Sequence, residues 1–309
     1  MENKIKYYSL NTYLQDKYGC KLYKVPIDGG FTCPNRDGSK DYRGCIFCSA
    51  SGSGDFIRGK NLTIGEQIEL GIKMLDSKFR VDDKKERYIA YFQAYTNTYS
   101  DIEDLRRKYF EALNNDKIKI VSIATRPDCL GKEVLELLKE INEIKPVWVE
   151  LGLQTVKKES IEYIRRCYEN EVYETAVSSL YDIGITQIIT HIILGLPGET
   201  KEDMINTTEF VSNIIKKNGY SPDMFGYKFQ LLHVLKGTDL LSDYNSGKFD
   251  VLSLEEYIDI LKACISKIDP NSVVHRLTGD GDKKILVAPL WSGDKKTVLN
   301  AINREFIKI

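Results

Sequence analysis

The chain has 309 residues, 42% of them apolar and 29% charged, with 22 glycines and 8 prolines. That composition belongs to a folded globular protein and excludes a disordered or fibrous chain. A net charge of −1 leaves no global basic field to draw it onto nucleic acid. No run approaches a membrane span, and the opening stretch lacks the apolar segment of a secretion signal, so a cytoplasmic protein is expected. In that reducing compartment the seven cysteines point to thiol or metal chemistry rather than to a disulfide framework.

Taken in chain order, short β-rich runs alternate with helical stretches. YKVPI (23–27) reads as the first strand and leads into a loop carrying three cysteines. Ile64, Ile68, Ile72, Leu75 and Phe79 recur at helical spacing, with Thr63 placed to cap the helix N-terminus. Strands follow at 88–94, 118–124, 147–153, 187–194 and 227–232. Between and behind them lie helices over 102–113, 132–141, 159–183, 201–216 and 254–268. This alternation implies a parallel sheet built from right-handed crossovers, and six units point to an incomplete (β/α) barrel. An open doubly wound sheet is the alternative. The carboxyl ends of the strands carry QAYTNTY, TRPD, GLQT, GLPGET and LLHVLKGT, where a barrel places its site. The basic pairs Arg165-Arg166, Lys216-Lys217, Lys283-Lys284 and Lys295-Lys296, and the run 106–108, read as solvated faces.

The three loop cysteines are Cys33 and, after eleven residues, Cys45-Ile-Phe-Cys48. A 4Fe–4S cluster is usually held by four thiolates. Three would leave one iron open to a small molecule. Pro34, Gly38 and Gly44 suit a loop wrapped around such a group, and Phe47 supplies an apolar wall. The alternative is a structural zinc site whose fourth ligand comes from Cys20, His191, His233 or His275, although no second CxxC pair is present. Cys20, Cys129, Cys167 and Cys264 are scattered singly and read as small buried or loop residues.

A long-spaced cysteine followed by Cys-x-aromatic-Cys at the end of the first strand resembles the radical S-adenosylmethionine enzymes, in the Elongator-protein-3-like branch that widens the first gap. GGFTCPNRDGS, AYFQAYTNTY, ATRPDCL, VELGLQT, HIILGLPGET and LTGDG…LVAPLWS…VLNAI extend the likeness from about Tyr8 to Ile302 and resemble one bacterial and archaeal subgroup of that branch. The resemblance implies an α/β fold, a partial (β/α)6 barrel over residues 1–245 with a short C-terminal extension over 246–309. It implies a 4Fe–4S cluster on Cys33, Cys45 and Cys48, with S-adenosylmethionine on the fourth iron. Reductive cleavage would then give a 5′-deoxyadenosyl radical.

The resemblance also implies roles at the strand ends. Gln93, Ala94 and Tyr95 lie where the methionyl amino group is held, and Thr125, Glu150 and Gln154 where ribose and carboxylate are met. Ile193 and Gly195 would flank adenine, and Leu232 and His233 end the sixth strand. Arg166 keeps the guanidinium expected on the methionyl carboxylate, although the histidine of the relatives' Asn-Arg-Gly-His-like run is replaced here. Tyr95 and His233 are the candidate catalytic residues. The acetyltransferase part of Elongator-type proteins has no counterpart in the sequence, so acetyl-CoA chemistry is not expected. The implied substrate is the wobble uridine of tRNA, taken from the 5-carboxymethylaminomethyl toward the 5-aminomethyl form. Lys21, Lys24, Arg36, Lys40, Arg43, Arg58 and Lys60 around the cysteine loop are available to meet it. A small metabolite or cofactor precursor is the alternative substrate, a zinc-stabilised binding module the alternative to an enzyme. A low-potential donor such as flavodoxin or ferredoxin is the implied electron source.

Overall fold

The computed structural model describes residues 5–52, 54, 57–79, 87–279 and 281–308. Asp280 of the LTGDG run lies outside them. The elements begin with β1 (Ile5–Ser9), α1 (Leu10–Tyr18), β2 (Tyr23–Ile27), α2 (Ile64–Phe79), β3 (Tyr88–Phe92) and α3 (Ile102–Leu113). They continue with β4 (Ile118–Thr125), α4 (Lys132–Ile144), β5 (Val147–Gln154), α5 (Lys158–Tyr163), α6 (Asn170–Asp182), β6 (Gln187–Leu194) and α7 (Lys201–Lys217). The remainder are β7 (Phe225–Leu231), β8 (Val234–Leu235), α8 (Asp239–Asn245), α9 (Leu254–Ile265), β9 (Val273–Arg276), β10 (Leu286–Ala288), α10 (Lys295–Glu305) and β11 (Phe306–Lys308).

Nine strands form one parallel sheet in the order β11-β1-β9-β7-β6-β5-β4-β3-β2. The six expected strands are its consecutive run from β2 to β7, and no pairing among the described residues joins β2 to β1 or β11. The barrel is therefore partial. The sheet extends beyond β7 by three short strands that the sequence pattern did not show. Two of them, β9 and β11, come from the C-terminal segment, so residues after 245 are hydrogen-bonded into the same sheet as the core.

Burial on both faces explains the composition of the strands. Every residue of β3 is buried, as are all but Lys119 in β4, so these strands are near-continuous apolar runs. Their outward side chains form one large cluster with the helices. Their inward side chains form layers. The lowest comprises Leu22, Ile89, Ile120, Trp148, Ile189 and Val273, closed from below by Tyr13 and Leu14 of α1. Helix α1 thus plugs the bottom of the barrel. Capping boxes at Thr200/Asp203 and Ser253/Glu256 start α7 and α9. Thr63 and Glu66 make the same reciprocal pair at α2, as its N-cap position predicts. The helical segments expected over 159–183 are α5 and α6, separated where the backbone of Arg165 and Cys167 takes positive φ.

Candidate active site

The loop after β2 folds on itself before it meets anything else. The Cys33 carbonyl accepts from the Arg36 and Asp37 amides, Pro34 from Lys40, Asn35 from Gly44, and Cys45 from Cys48. Gly44 sits at φ 74°, and a Cβ there would lie 2.9 Å from Arg36 Nε, so glycine is required on two counts. The Arg36 guanidinium donates to the Cys48 and Ser49 carbonyls at 3.0 and 2.7 Å and clamps the turn. Asn35 Nδ2 donates to the Arg165 carbonyl at 2.6 Å, and the Ile46 amide to Ile164, which seats the loop on the break between α5 and α6. On the other side Tyr95, at φ 59°, ties the loop's tail through its amide to Gly52 and its hydroxyl to the Ala50 carbonyl.

Cys33, Cys45 and Cys48 line one cavity at the carboxyl ends of the strands. Burial pushes the Cys45 thiol up to about 12, the neighbouring Cys48 and Cys33 push the same way, and Arg126 opposes them. Three thiolates that repel one another in a sheltered site fit a strongly cationic inorganic centre. Among the described residues no three His, Cys, Asp or Glu side chains converge on a single ion. Of the four residues open to a zinc site as fourth ligand, two histidines are already engaged. His191 is engaged with Glu150 and Gln230, and His275 with Gln187.

Of the other expected residues, Gln93, Tyr95, Thr125, Glu150, Gln154 and Arg166 line the cavity. Phe47, Ile193 and Leu232 pack together instead in an apolar cluster with Ile46 and Val234 beside it. Ala94 is buried, and Gly195, at φ 91°, donates its amide to Met204 Sδ. His233 packs beside Gly279 and Gly281, away from the cavity lining.

Two expected roles meet a different geometry. The Arg166 guanidinium is buried and donates to the carbonyls of Tyr168, Leu153 and Thr155 and to Asn170 Oδ1, so it pins the α5–α6 break. Glu150 is enclosed by five donors. Lys24 and Lys228 ammoniums stand 2.7 and 2.6 Å from its oxygens, with His191 Nε2 at 2.6 Å and the Ser122 and Tyr91 hydroxyls at 3.0 Å. Those cations hold its carboxyl well below the usual range against the opposing effect of burial. Gln230 donates to His191 Nδ1, which leaves Nε2–H to donate to Glu150. Burial and Lys228 lower this imidazole to about 4, so it is neutral at pH 7.

The cavity lining also holds Arg126, Tyr168, Lys228, Gln230 and Arg276, which the sequence pattern did not single out, together with Arg36, expected only as a basic residue near the loop, and His191, expected only as a possible zinc ligand. Arg126 binds Asp128 in bidentate fashion and lies over the Tyr168 ring. The signal for the strand residues was present. Lys24, Ser122, Glu150, His191 and Lys228 are polar side chains set at inward positions of otherwise apolar strands. The basic patch expected around the loop is partly turned inward. Lys24 serves Glu150, Arg36 clamps the loop, and Lys40 and Arg43 pair with Asp128 and Asp41. Tyr42, 80% exposed, is left at the loop's outer face.

Comparison with known proteins sets this geometry in context. Residues 33–211 match the Radical SAM superfamily, and residues 224–308 match the Radical_SAM C-terminal domain. YtqA of Bacillus subtilis (strain 168), an uncharacterised protein, is 41% identical over 302 residues, which cover 97% of this chain and 89% of YtqA. The tRNA uridine(34) acetyltransferase of Methanocaldococcus jannaschii is 31% identical over 140 residues, 45% of this chain and 24% of that protein. Among solved structures, Elp3 of Methanocaldococcus infernus superposes with a TM-score of 0.66 at 18% identity, over 92% of this chain and 63% of Elp3. No helix among the described residues is long and apolar enough to cross a membrane.

Proposed function

The chain belongs to the Radical SAM superfamily, whose members use a 4Fe–4S cluster and S-adenosylmethionine, and from that premise we propose that it modifies the wobble uridine of tRNA. The proposed conversion is from 5-carboxymethylaminomethyl-uridine toward 5-aminomethyl-uridine. The observation that carries the reading is the 31% identity with a protein named for its action on uridine 34 of tRNA. An exposed aromatic side chain on the outer face of the cysteine loop, Tyr42, suits the stacking of an unpaired base.

In this reading Cys33, Cys45 and Cys48 hold the cluster. When bound, the cluster and S-adenosylmethionine supply one-electron cleavage and hydrogen-atom abstraction. The chain's own residues bind, orient and shelter. Arg36 fixes the backbone on which Cys48 is carried. Gln93, Thr125 and Gln154 present polar groups to S-adenosylmethionine at the strand ends. Glu150, saturated by protein donors, holds Lys228 and His191 in place and does not meet the ribose directly. Tyr95 keeps a positioning role through its bonds to the loop. A flavodoxin or ferredoxin supplies the electron.

The test is the nucleoside profile of tRNA from a deletion strain. The 5-carboxymethylaminomethyl nucleoside should accumulate at the expense of its aminomethyl derivatives, and the reconstituted protein should restore them in vitro. An unchanged profile would remove the substrate assignment while leaving the superfamily chemistry in place.

A further inference from the structure

The strand wall of the cavity carries a charge arrangement that Glu150 does not neutralise. Lys24 on β2 and Lys228 on β7 share it, and it is the one carboxylate lining the cavity among the described residues. Ser122, Tyr91 and His191 donate to the same two oxygens. Two ammoniums on one carboxylate leave a positive charge in excess, and the Lys228 side chain is only 8% exposed. Such an excess in a sheltered site is relieved either by loss of the Lys228 proton or by the arrival of an anion. Arg276 stands opposite Lys228 in the β7–β9 register and lines the same cavity, as does Gln230 two residues along β7.

We propose that Lys228, with Arg276 beside it, receives an oxyanion of the substrate, a carboxylate or a phosphate, on the strand wall of the cavity. This rests on the reading of the substrate as a 5-carboxymethylaminomethyl-uridine, in which the oxyanion is the carboxylate of the carboxymethyl group removed from the nitrogen. A phosphate of the nucleotide has the same chemistry and is the other source. Lys24, Tyr91, Glu150, His191, His275 and Arg276 act on the Lys228 ammonium, which donates to Tyr91 and Glu150 and which burial and the neighbouring Lys24 and Arg276 bring down to about 7 against the pull of Glu150. Anion binding needs that ammonium charged, so affinity should fall by up to tenfold per pH unit above 7.

The experiment measures binding of two anticodon stem-loop RNAs to the reconstituted protein at pH 6.5. One carries 5-carboxymethylaminomethyl-uridine at the wobble position, the other 5-aminomethyl-uridine. A parallel arm compares uridine 5′-monophosphate with uridine. The wild type should prefer the carboxylated RNA by about tenfold or more, the scale of one charge-assisted hydrogen bond. Lys228→Met and Arg276→Gln should bring that preference toward unity, and Lys228→Arg should keep part of it. A preference that survives both substitutions overturns the site and leaves the proposed substrate standing. Equal binding of the RNAs, with a monophosphate preference that the substitutions abolish, keeps the oxyanion site and removes the proposed substrate. No anion preference, or an equal loss of S-adenosylmethionine affinity in the variants, overturns the assignment. If Lys228→Met fails to fold, the Arg276→Gln and Lys228→Arg proteins decide between these outcomes.

Discussion

The cavity has two walls, and they are held by contacts of different reach. The cysteine loop takes its shape from short-range bonds such as those from Arg36 to Cys48 and Ser49, twelve and thirteen residues away, and is then seated on the α5–α6 break through Asn35 and Ile46. The strand wall is fixed by side chains brought from across the chain. Glu150 meets Ser122, Tyr91, Lys228 and Lys24 at separations of 28, 59, 78 and 126 residues. A loop of the first kind can lose its ligands and leave the sheet intact. A hub of the second kind cannot be altered without disturbing the packing around it, because its charges are already out of water.

The largest expected effect tests the independence of the loop. Replacing Cys33, Cys45 or Cys48 by Ala should abolish cluster absorbance and S-adenosylmethionine cleavage after anaerobic reconstitution, with the urea midpoint close to wild type. A large loss of stability would show that the two walls are not separable. Glu150→Ala should do the reverse and destabilise the whole domain by roughly 3–5 kcal/mol, since it leaves the buried Lys228 ammonium and the partly buried Lys24 ammonium without their counter-ion. Denaturant melts measure this directly.

A pH series sharpens the contrast. His191 is held neutral in the fold, with its pKa lowered from 6.5 to about 4. Between those values the unfolded chain binds the proton and the folded chain does not. Stability should therefore fall as pH drops from 6.5 to 4, by about 3 kcal/mol at most. Glu150, depressed in the fold, adds a loss in the same direction at lower pH. His191→Asn should reduce the slope between pH 6.5 and 4 and leave the part that His275, also buried and lowered, contributes; an unchanged slope would place the titrating group elsewhere.

The smaller effects return to single contacts. Arg36→Ala removes the clamp on the Cys48 and Ser49 carbonyls and should cost about 1–3 kcal/mol of local loop order. Its readout is faster iron loss to a chelator, with little change in the melting midpoint. Cys264→Ala should leave the cluster intact, because Cys264 is fully buried between α7 and α9 and not near the loop. Only a small packing loss, about 1 kcal/mol, is expected from thermal melts.

The six core strands and their helices were legible because each rests on local pattern. Runs such as the all-buried β3 read as strands, and Thr63 marks a helix start through Glu66 three positions away. Strands β1, β9 and β11 were not legible. They are three to five residues long and gain their hydrogen bonds from one another and from β7, so nothing in their own sequence distinguishes them from loops. Arg166 shows the same limit at the site. Its place near the cavity was foreseen, whereas its commitment to three backbone carbonyls follows from the positive φ of Arg165 and Cys167 around it.

The sequence by itself determined the three-cysteine loop, its glycine-permitted turns and the order of the (β/α) units. All of these depend on residue type and spacing within a few tens of positions. Only the tertiary structure decided what Glu150, Lys24, His191 and Lys228 do. Each is a polar residue in an apolar strand, and such a residue is intelligible only with its partners. Those partners are set by strand order and by the stagger of the barrel, which bring residues as far apart as Lys24 and Lys228 onto one carboxylate.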